Sequence, residues 1–281
     1  MPILIDRRNF LKASSAAWLT TALHAEPERL KWAVLSDVHI SAEATYTFRG
    51  FAPARNLKTV VAQVTASAWQ GQIINGDLAL RTGQPEDYRR FVELTHPLTA
   101  GAPLALSLGN HDDRLNAIAA LGAKNIVADK WVSAFVAGPF QILVLDSLYF
   151  TNTVAGLLGK AQRDWLARFL DDHRSKPTLV FVHHTLDDSD GSLLDADRFL
   201  NIVTPRRHVK AVFYGHSHEY KHDVRDGLHL VNQPAVGYNF EDDQPVGWLA
   251  ADFSTEDARL TLHAIGGNRT QDGQTKLLKW R

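Results

Sequence analysis

Two rhythms of apolar residues alternate along this chain. Short runs dense in Val, Ile, Leu, Phe and Ala predict strands over residues 30–36, 72–75, 103–108, 141–145, 178–182 and 209–214. Between them, apolar positions recurring every three to four residues predict helices over 57–68, 86–94, 115–121 and 160–173. Beyond Gly215 the pattern changes: 229–232, 247–253 and 259–265 read as short strands with turn residues and no helix between them, a meander. A first half that winds strand, helix, strand and a second half rich in strands fits an α/β fold of two mixed β-sheets packed face to face with helices outside. No repeat, low-complexity tract or linker divides residues 26–281, which read as one domain.

The N-terminus carries a different signal. Asp6-Arg7-Arg8-Asn9-Phe10-Leu11-Lys12 precedes a mildly apolar stretch over 13–23 and then Ala25-Glu26. This resembles a bacterial twin-arginine export signal and predicts that residues 1–25 are a signal peptide handled by the twin-arginine machinery, with a periplasmic or secreted mature protein. An amphipathic N-terminal helix is the alternative. Loss of residues 1–25 removes Arg7, Arg8, Lys12 and Asp6, leaving 27 basic against 30 acidic residues.

Composition narrows the chemistry. The 281 residues hold 30 Lys+Arg against 31 Asp+Glu, so no global field recommends a nucleic-acid polymer as partner. Any attraction for phosphate must be local. Cysteine is absent, which excludes disulfides, thiolate ligands and thiol nucleophiles, so any metal must be bound by nitrogen and oxygen. No stretch approaches the roughly 20 apolar residues of a membrane-spanning helix.

Five short clusters, in order, end in metal-binding types of side chain: Asp37-Val38-His39, Gly76-Asp77, Gly109-Asn110-His111-Asp112, Val182-His183-His184 and Gly215-His216-Ser217-His218. Nearly all follow a predicted strand, where loops can converge on one point. Asp37 and His39, two apart at a strand end, are expected to leave on one face about 6.5–7 Å apart, within reach of one ion. His216 and His218 share that spacing and could bracket a pair of ions, and Asp77 could give one oxygen to each.

The ordered set resembles the calcineurin-like metallophosphoesterase superfamily over roughly residues 30–220. Gly159-Lys160-Ala161-Gln162 before Trp165-Leu166, and the spacing from His183-His184 through Gly191 to Asp195 and Asn201, are similar to its cyclic-nucleotide (class III) phosphodiesterase branch. Where that branch has proline after the histidine pair, this chain has Thr185 and Leu186. The resemblance implies a four-layer αββα sandwich. It assigns Asp37, His39, Asp77 and His218 to one ion, and Asp77, Asn110, His183 and His216 to the other. His111 would face the phosphate without ligating, and Asp112 could orient it.

Two divalent ions, two carboxylates and a bridging hydroxide leave one net positive charge, about what a phosphodiester monoanion neutralises. The expected chemistry is in-line attack by the metal-bridging hydroxide on a small phosphodiester, a cyclic nucleotide or glycerophosphodiester, with His111 stabilising or protonating the departing oxygen. A phosphomonoesterase or nucleotidase with the same site is the alternative, and a non-catalytic metal-binding scaffold a third. The ligand types admit divalent or mixed-valence Mn, Fe, Zn or Co and argue against Ca or Mg.

Other residues read more plainly. His184 is expected to face away from His183 and pack or support the site, with substrate contact as the alternative. Asp146 is expected to support its loop. Residues 187–190 read as a solvated acidic loop, or as a rim that disfavours polyanions. Tyr46, Phe48 and Arg49, with Tyr238, Asn239 and Phe240, are expected to pack, or alternatively to form a rim that stacks a nucleobase.

Overall fold

A computed structural model describes residues 28–122, 126–127 and 129–281; the export signal expected over 1–25 lies outside the described residues. The elements run β1 (Leu30–Leu35), α1 (Pro53–Thr65), β2 (Gly71–Asn75), α2 (Pro85–Thr99), β3 (Leu104–Ser107), α3 (Arg114–Leu121), β4 (Ile126–Val127), β5 (Lys130–Trp131), β6 (Ser133–Ala137), β7 (Phe140–Val144), α4 (Lys160–Asp172), β8 (Thr178–Phe181), α5 (Ala196–Val203), β9 (Val209–Tyr214), β10 (Lys221–Arg225), β11 (Leu228–Asn232), β12 (Pro245–Phe253), β13 (Asp257–Gly267) and β14 (Thr275–Lys279). Helices α1 and α2 each begin at a proline, earlier than periodicity alone predicts. Proline's fixed φ and missing N–H suit a first helical turn.

Two six-stranded sheets form the centre, ordered β14-β13-β12-β1-β2-β3 and β10-β11-β9-β8-β7-β6. Strand β1 is parallel to β2 and β2 to β3, while β7, β8 and β9 run parallel in the second sheet. Parallel strands covered on both faces are largely apolar, which is why they appear in the sequence as dense apolar runs, broken here by Lys31 in β1, Gln72 in β2 and Lys210 in β9. Along β1, Leu30, Trp32 and Val34 face the second sheet, while Ala33 and Leu35 face α1 and α2.

The inter-sheet layer is closed by Phe181, Phe213 and Phe253, with Phe181 stacked on Phe213 at 4.9 Å. Each such fully buried ring stabilises the fold by roughly 1.5–3 kcal/mol relative to exposure. The outer layers are α1 and α2 on the first sheet and α4 and α5 on the second. The expected α/β architecture of two mixed sheets with helices outside is thus what the chain forms.

Two local expectations need correction. Helix α5 was not predicted, although Ala196, Phe199, Leu200 and Val203 have helical spacing and bury one face. The C-terminal strands are not one meander. β10 and β11 extend the second sheet, with β11 parallel to β9, and β12–β14 complete the first beside β1. The chain therefore crosses between sheets over residues 233–244, carrying Tyr238 and Phe240 past the ends of β1 and β9.

Candidate metal centre

All seven predicted ligands lie on turns that leave the carboxyl ends of parallel strands: Asp37 and His39 after β1, Asp77 after β2, Asn110 after β3, His183 after β8, His216 and His218 after β9. Ligands of open α/β sheets collect at that end because the following loops all emerge there. Here the two sheets face each other, so their loops meet over one point.

Convergence does not come from strand pleating, as the two-residue spacing suggested. Asp37, His39, Asp77, His216 and His218 all have left-handed backbone, with φ of 53°, 48°, 49°, 74° and 59°. That conformation is unfavourable for residues with a Cβ, at about 1–3 kcal/mol each, and persists where the surroundings dictate it. They do so here. Asp37 N donates to Gly76 O at 3.2 Å, His39 N to Asp77 O at 2.9 Å, and Gly237 N to Asp37 O at 2.9 Å. Gly109 and Gly215 allow the turns to close: a Cβ on Gly109 would collide with Asp77, and one on Gly215 with Ser36 and Asp37.

The side chains fall into two main groups sharing a wall, with His39, Asp77 and His111 forming a third close set between them. In the first, the Nε2 atoms of His218 and His39 lie 3.4 and 4.0 Å from Asp37 Oδ1. In the second, Asp77, His183 and His216 converge, with His183 Nε2 at 3.5 Å from Asp77 Oδ1. Asp77 spans them, because its other oxygen, Oδ2, lies 3.7 Å from His39 Nε2.

The donor set fits cations. His183 Nδ1 is held by Asn75 O at 2.9 Å, His218 Nδ1 by Tyr238 O at 2.6 Å, and His216 Nε2 by Gly191 O at 3.0 Å. Each carbonyl holds one ring N–H and turns the opposite nitrogen towards the carboxylates. His183 Nε2 and Asn110 Oδ1 are buried with no hydrogen-bond partner among the described residues. Buried atoms of that kind ordinarily have one. Asn110 lines the same cavity as Asp77, His216 and His218.

Electrostatics point the same way. Burial pushes the Asp37 carboxyl up, yet His183 and His218 outweigh it and bring it down to about 2. Burial pushes His183 down, but the Asp77 and Asp37 carboxylates raise it to about 10. Burial lowers His39 to about 3 and, aided by His183, His216 to about 4. Two buried carboxylates thus demand positive charge, and the metal-free site meets that demand by protonating His183 while His39 and His216 stay neutral.

His111 lies at the cavity wall, half-buried. Its backbone N–H donates to Asp77 Oδ1 at 3.0 Å, its ring Nδ1 is held by Arg81 O at 3.1 Å, and the ring packs edge-on against His39. Its Nε2 is left for the cavity. The expectation that Asp112 orients His111 is corrected: the Asp112 carboxylate is fully buried and accepts from Gly109 N, Leu78 N, Ala79 N and the Tyr88 hydroxyl. It clasps the Asp77 and Asn110 turns together. Burial and the neighbouring Asp77 raise its pKa to about 6.

His184 lies behind the centre, with Nδ1 on Ser147 Oγ at 2.7 Å and its ring 4.7 Å from that of His216. Asp146 accepts from Trp131 N and Leu148 N and pairs with Arg114, holding its loop. Of the aromatic groups, Tyr238 stacks on His39 at 4.7 Å and Phe48 packs on Tyr238, while Arg49 pairs with Asp242. Phe240 stacks on His218 at 4.2 Å and also lines the cavity.

Sequence reasoning missed Ser36, Asn75 and Gln233. Ser36 Oγ lies between Asp37 Oδ2 and Asn75 O, and its one proton can be given to either. Asn75 Nδ2 reaches across to Val182 O at 3.1 Å and Gln233 Oε1 at 2.6 Å, tying the two sheets directly under the ligands. For Ser36 and Asn75 the available signal is a polar residue closing an apolar strand just before a candidate ligand; Gln233 carries no such signal.

Comparison with known proteins follows this geometry. A family model described as calcineurin-like phosphoesterase matches residues 30–220. Similar curated proteins include a probable cyclic nucleotide phosphodiesterase from Synechococcus, 26% identical over 245 residues and covering 84% of this chain and 92% of that protein. Another is the 3',5'-cyclic adenosine monophosphate phosphodiesterase of Haemophilus influenzae, 26% identical over 269 residues, covering 90% and 92%. Among solved structures, a dimetal phosphatase from Danio rerio superposes with TM-score 0.72 at 13% identity, covering 91% of this chain and 100% of that one. A likeness at that identity concerns the fold alone.

Proposed function

Because the chain belongs to the calcineurin-like phosphoesterase family, a family of metal-dependent hydrolases of phosphoester bonds, we propose that its substrate is a small phosphodiester, a cyclic nucleotide or a glycerophosphodiester. The observation that carries the dinuclear reading is Asp77, whose Oδ1 faces His183 and whose Oδ2 faces His39. In this proposal Asp37, His39, Asp77 and His218 hold one divalent ion, and Asp77, Asn110, His183 and His216 the other. When bound, such ions supply Lewis acidity to the phosphoryl oxygens and an activated water.

The protein's own groups do the rest. Asp37 and Asp77 set the charge of the site, and three backbone carbonyls keep the imidazoles aimed. His111, anchored through Nδ1, presents Nε2 to the cavity, where it stabilises or protonates the departing oxygen. The cavity beside it, about 570 Å³, falls within the usual range of small-molecule sites. The cyclic-nucleotide choice is supported by the activities for which the Synechococcus and Haemophilus influenzae relatives are named. The nitrogen and oxygen ligands favour Mn, Fe, Zn or Co.

Purified protein loaded with Mn(II) should hydrolyse bis(p-nitrophenyl) phosphate and 3',5'-cyclic AMP faster than p-nitrophenyl phosphate. Turnover of the monoester alone would replace the diesterase proposal with a phosphomonoesterase.

We also propose twin-arginine export through residues 1–25, supported by Arg7-Arg8 and the following Phe10-Leu11-Lys12. Arg7→Lys with Arg8→Lys should retain the protein in the cytoplasm, and its continued appearance in the periplasm would refute export.

A further inference from the structure

Beyond the ligands, the cavity continues between the Ser217 turn and the ends of β10 and β11, where Ser217, Glu219, Lys221, Asp223, Leu230 and Asn232 line it. Asn232, the last residue of β11, is 3% exposed. Its Nδ2 donates to Ser217 Oγ at 2.6 Å, while its Oδ1 is buried with no hydrogen-bond partner among the described residues. A buried amide oxygen left this way is disfavoured unless a ligand donates to it. Ser217 sits between His216 and His218, so Asn232 holds the turn that joins both halves of the candidate metal centre.

The charge of this lobe is opposite to that expected of the loaded metal end. Three carboxylates line the cavity there, Asp187, Glu219 and Asp223, against one cation, Lys221. Lys221 Nζ is already paired with Asp223 Oδ2 at 3.0 Å, so it offers little to an incoming anion. Asp187 and Glu219 remain. A phosphoester bound with its phosphoryl group at the metals would extend its other arm towards an unfilled acceptor and a net negative wall.

We propose that this lobe is a specificity subsite for the non-phosphate arm of the substrate, and that it selects an arm bearing a hydrogen-bond donor, neutral or cationic, over an anionic one. The inference rests on the phosphoester reading of the adjoining centre. Selection of this kind works by repulsion of the wrong arm as much as by contact with the right one. It favours phosphoesters whose alcohol carries a further amino or hydroxyl group over those whose alcohol carries a second phosphate or a carboxylate.

Two phosphates of similar size and opposite end charge test it: O-phosphoethanolamine and phosphoglycolate, titrated calorimetrically into the full-length Mn(II)-loaded protein. O-phosphoethanolamine should bind about tenfold tighter, and the ratio should shrink as salt screens the lobe. Asn232→Leu should weaken O-phosphoethanolamine about tenfold. Because Asn232 is buried, the less buried pair Asp223→Asn with Glu219→Gln, exposed and half-buried respectively, gives a second measure. It should bring the two affinities to within about threefold by removing the repulsion. Equal affinities in the parent, an unchanged ratio in the double variant, or failure to bind either phosphate would overturn the subsite. A protein that hydrolyses bis(p-nitrophenyl) phosphate yet does not distinguish the two phosphates keeps its phosphoesterase reading and loses this one.

Discussion

The Nε2 atoms of His39 and His218 lie 2.9 Å apart, both side chains almost fully buried. His218 already commits its Nδ1 to the Tyr238 carbonyl, so its Nε2 presents a lone pair to the His39 ring. Two ring nitrogens this close share a hydrogen bond when one carries the proton, and with Asp37 beside them the three groups can instead hold one cation. Chelation should therefore lower the melting temperature by about 5–10 °C, recovered on adding Mn(II). Calorimetry of chelated and reloaded protein measures this, and an unchanged Tm would count against a metal that supports the fold.

Metal binding should release a proton from His183. With its pKa at about 10 in the metal-free site, the ring is protonated at pH 7, and a cation must displace that proton. Affinity should rise with pH until about pH 10. Titrations in buffers of different ionisation enthalpy count the protons released. The same shift makes the metal-free fold pH-dependent: the folded pKa lies above the ordinary 6.5, so the stabilisation is complete below about pH 6.5 and is lost as pH rises through about 10. Metal-free protein whose stability increased over that range would contradict the assignment.

His111→Ala should keep its metal and lose turnover by about 10² or more, because the ring faces the cavity without sitting between the carboxylates. Metal analysis alongside steady-state kinetics separates the two effects. An unchanged rate removes His111 from the chemistry.

Asn75→Ala should destabilise the protein by about 1–3 kcal/mol, since it leaves buried partners unpaired on both sheets. Ser107 Oγ loses its acceptor at 2.7 Å, and Gln233 Oε1 and Val182 O lose their donor. The Asn75 carbonyl that aims His183 should shift as well, so metal affinity falls with stability. Urea unfolding and metal titration of the variant test both.

Much of this was legible in the residues themselves. The apolar runs that became β1, β2, β3, β8 and β9 are strong signals because those strands are buried on both faces, and the ligand motifs follow them directly. Strands β10 and β14 were silent. Both are edge strands with mostly exposed residues, so no burial pattern marks them. Asp112 was misread because its neighbour in sequence, His111, is not its neighbour in space.

The order of the motifs, the alternation of elements and the absence of thiols were settled by sequence alone, because local spacing and residue chemistry are written one position at a time. Only the tertiary structure decided how the ligands meet. Left-handed backbone at five of them is imposed by hydrogen bonds from distant loops, and the partition of the C-terminal strands between two sheets carries Tyr238 and Phe240 to the site. Such features depend on contacts between residues far apart in the chain, and no local pattern encodes them.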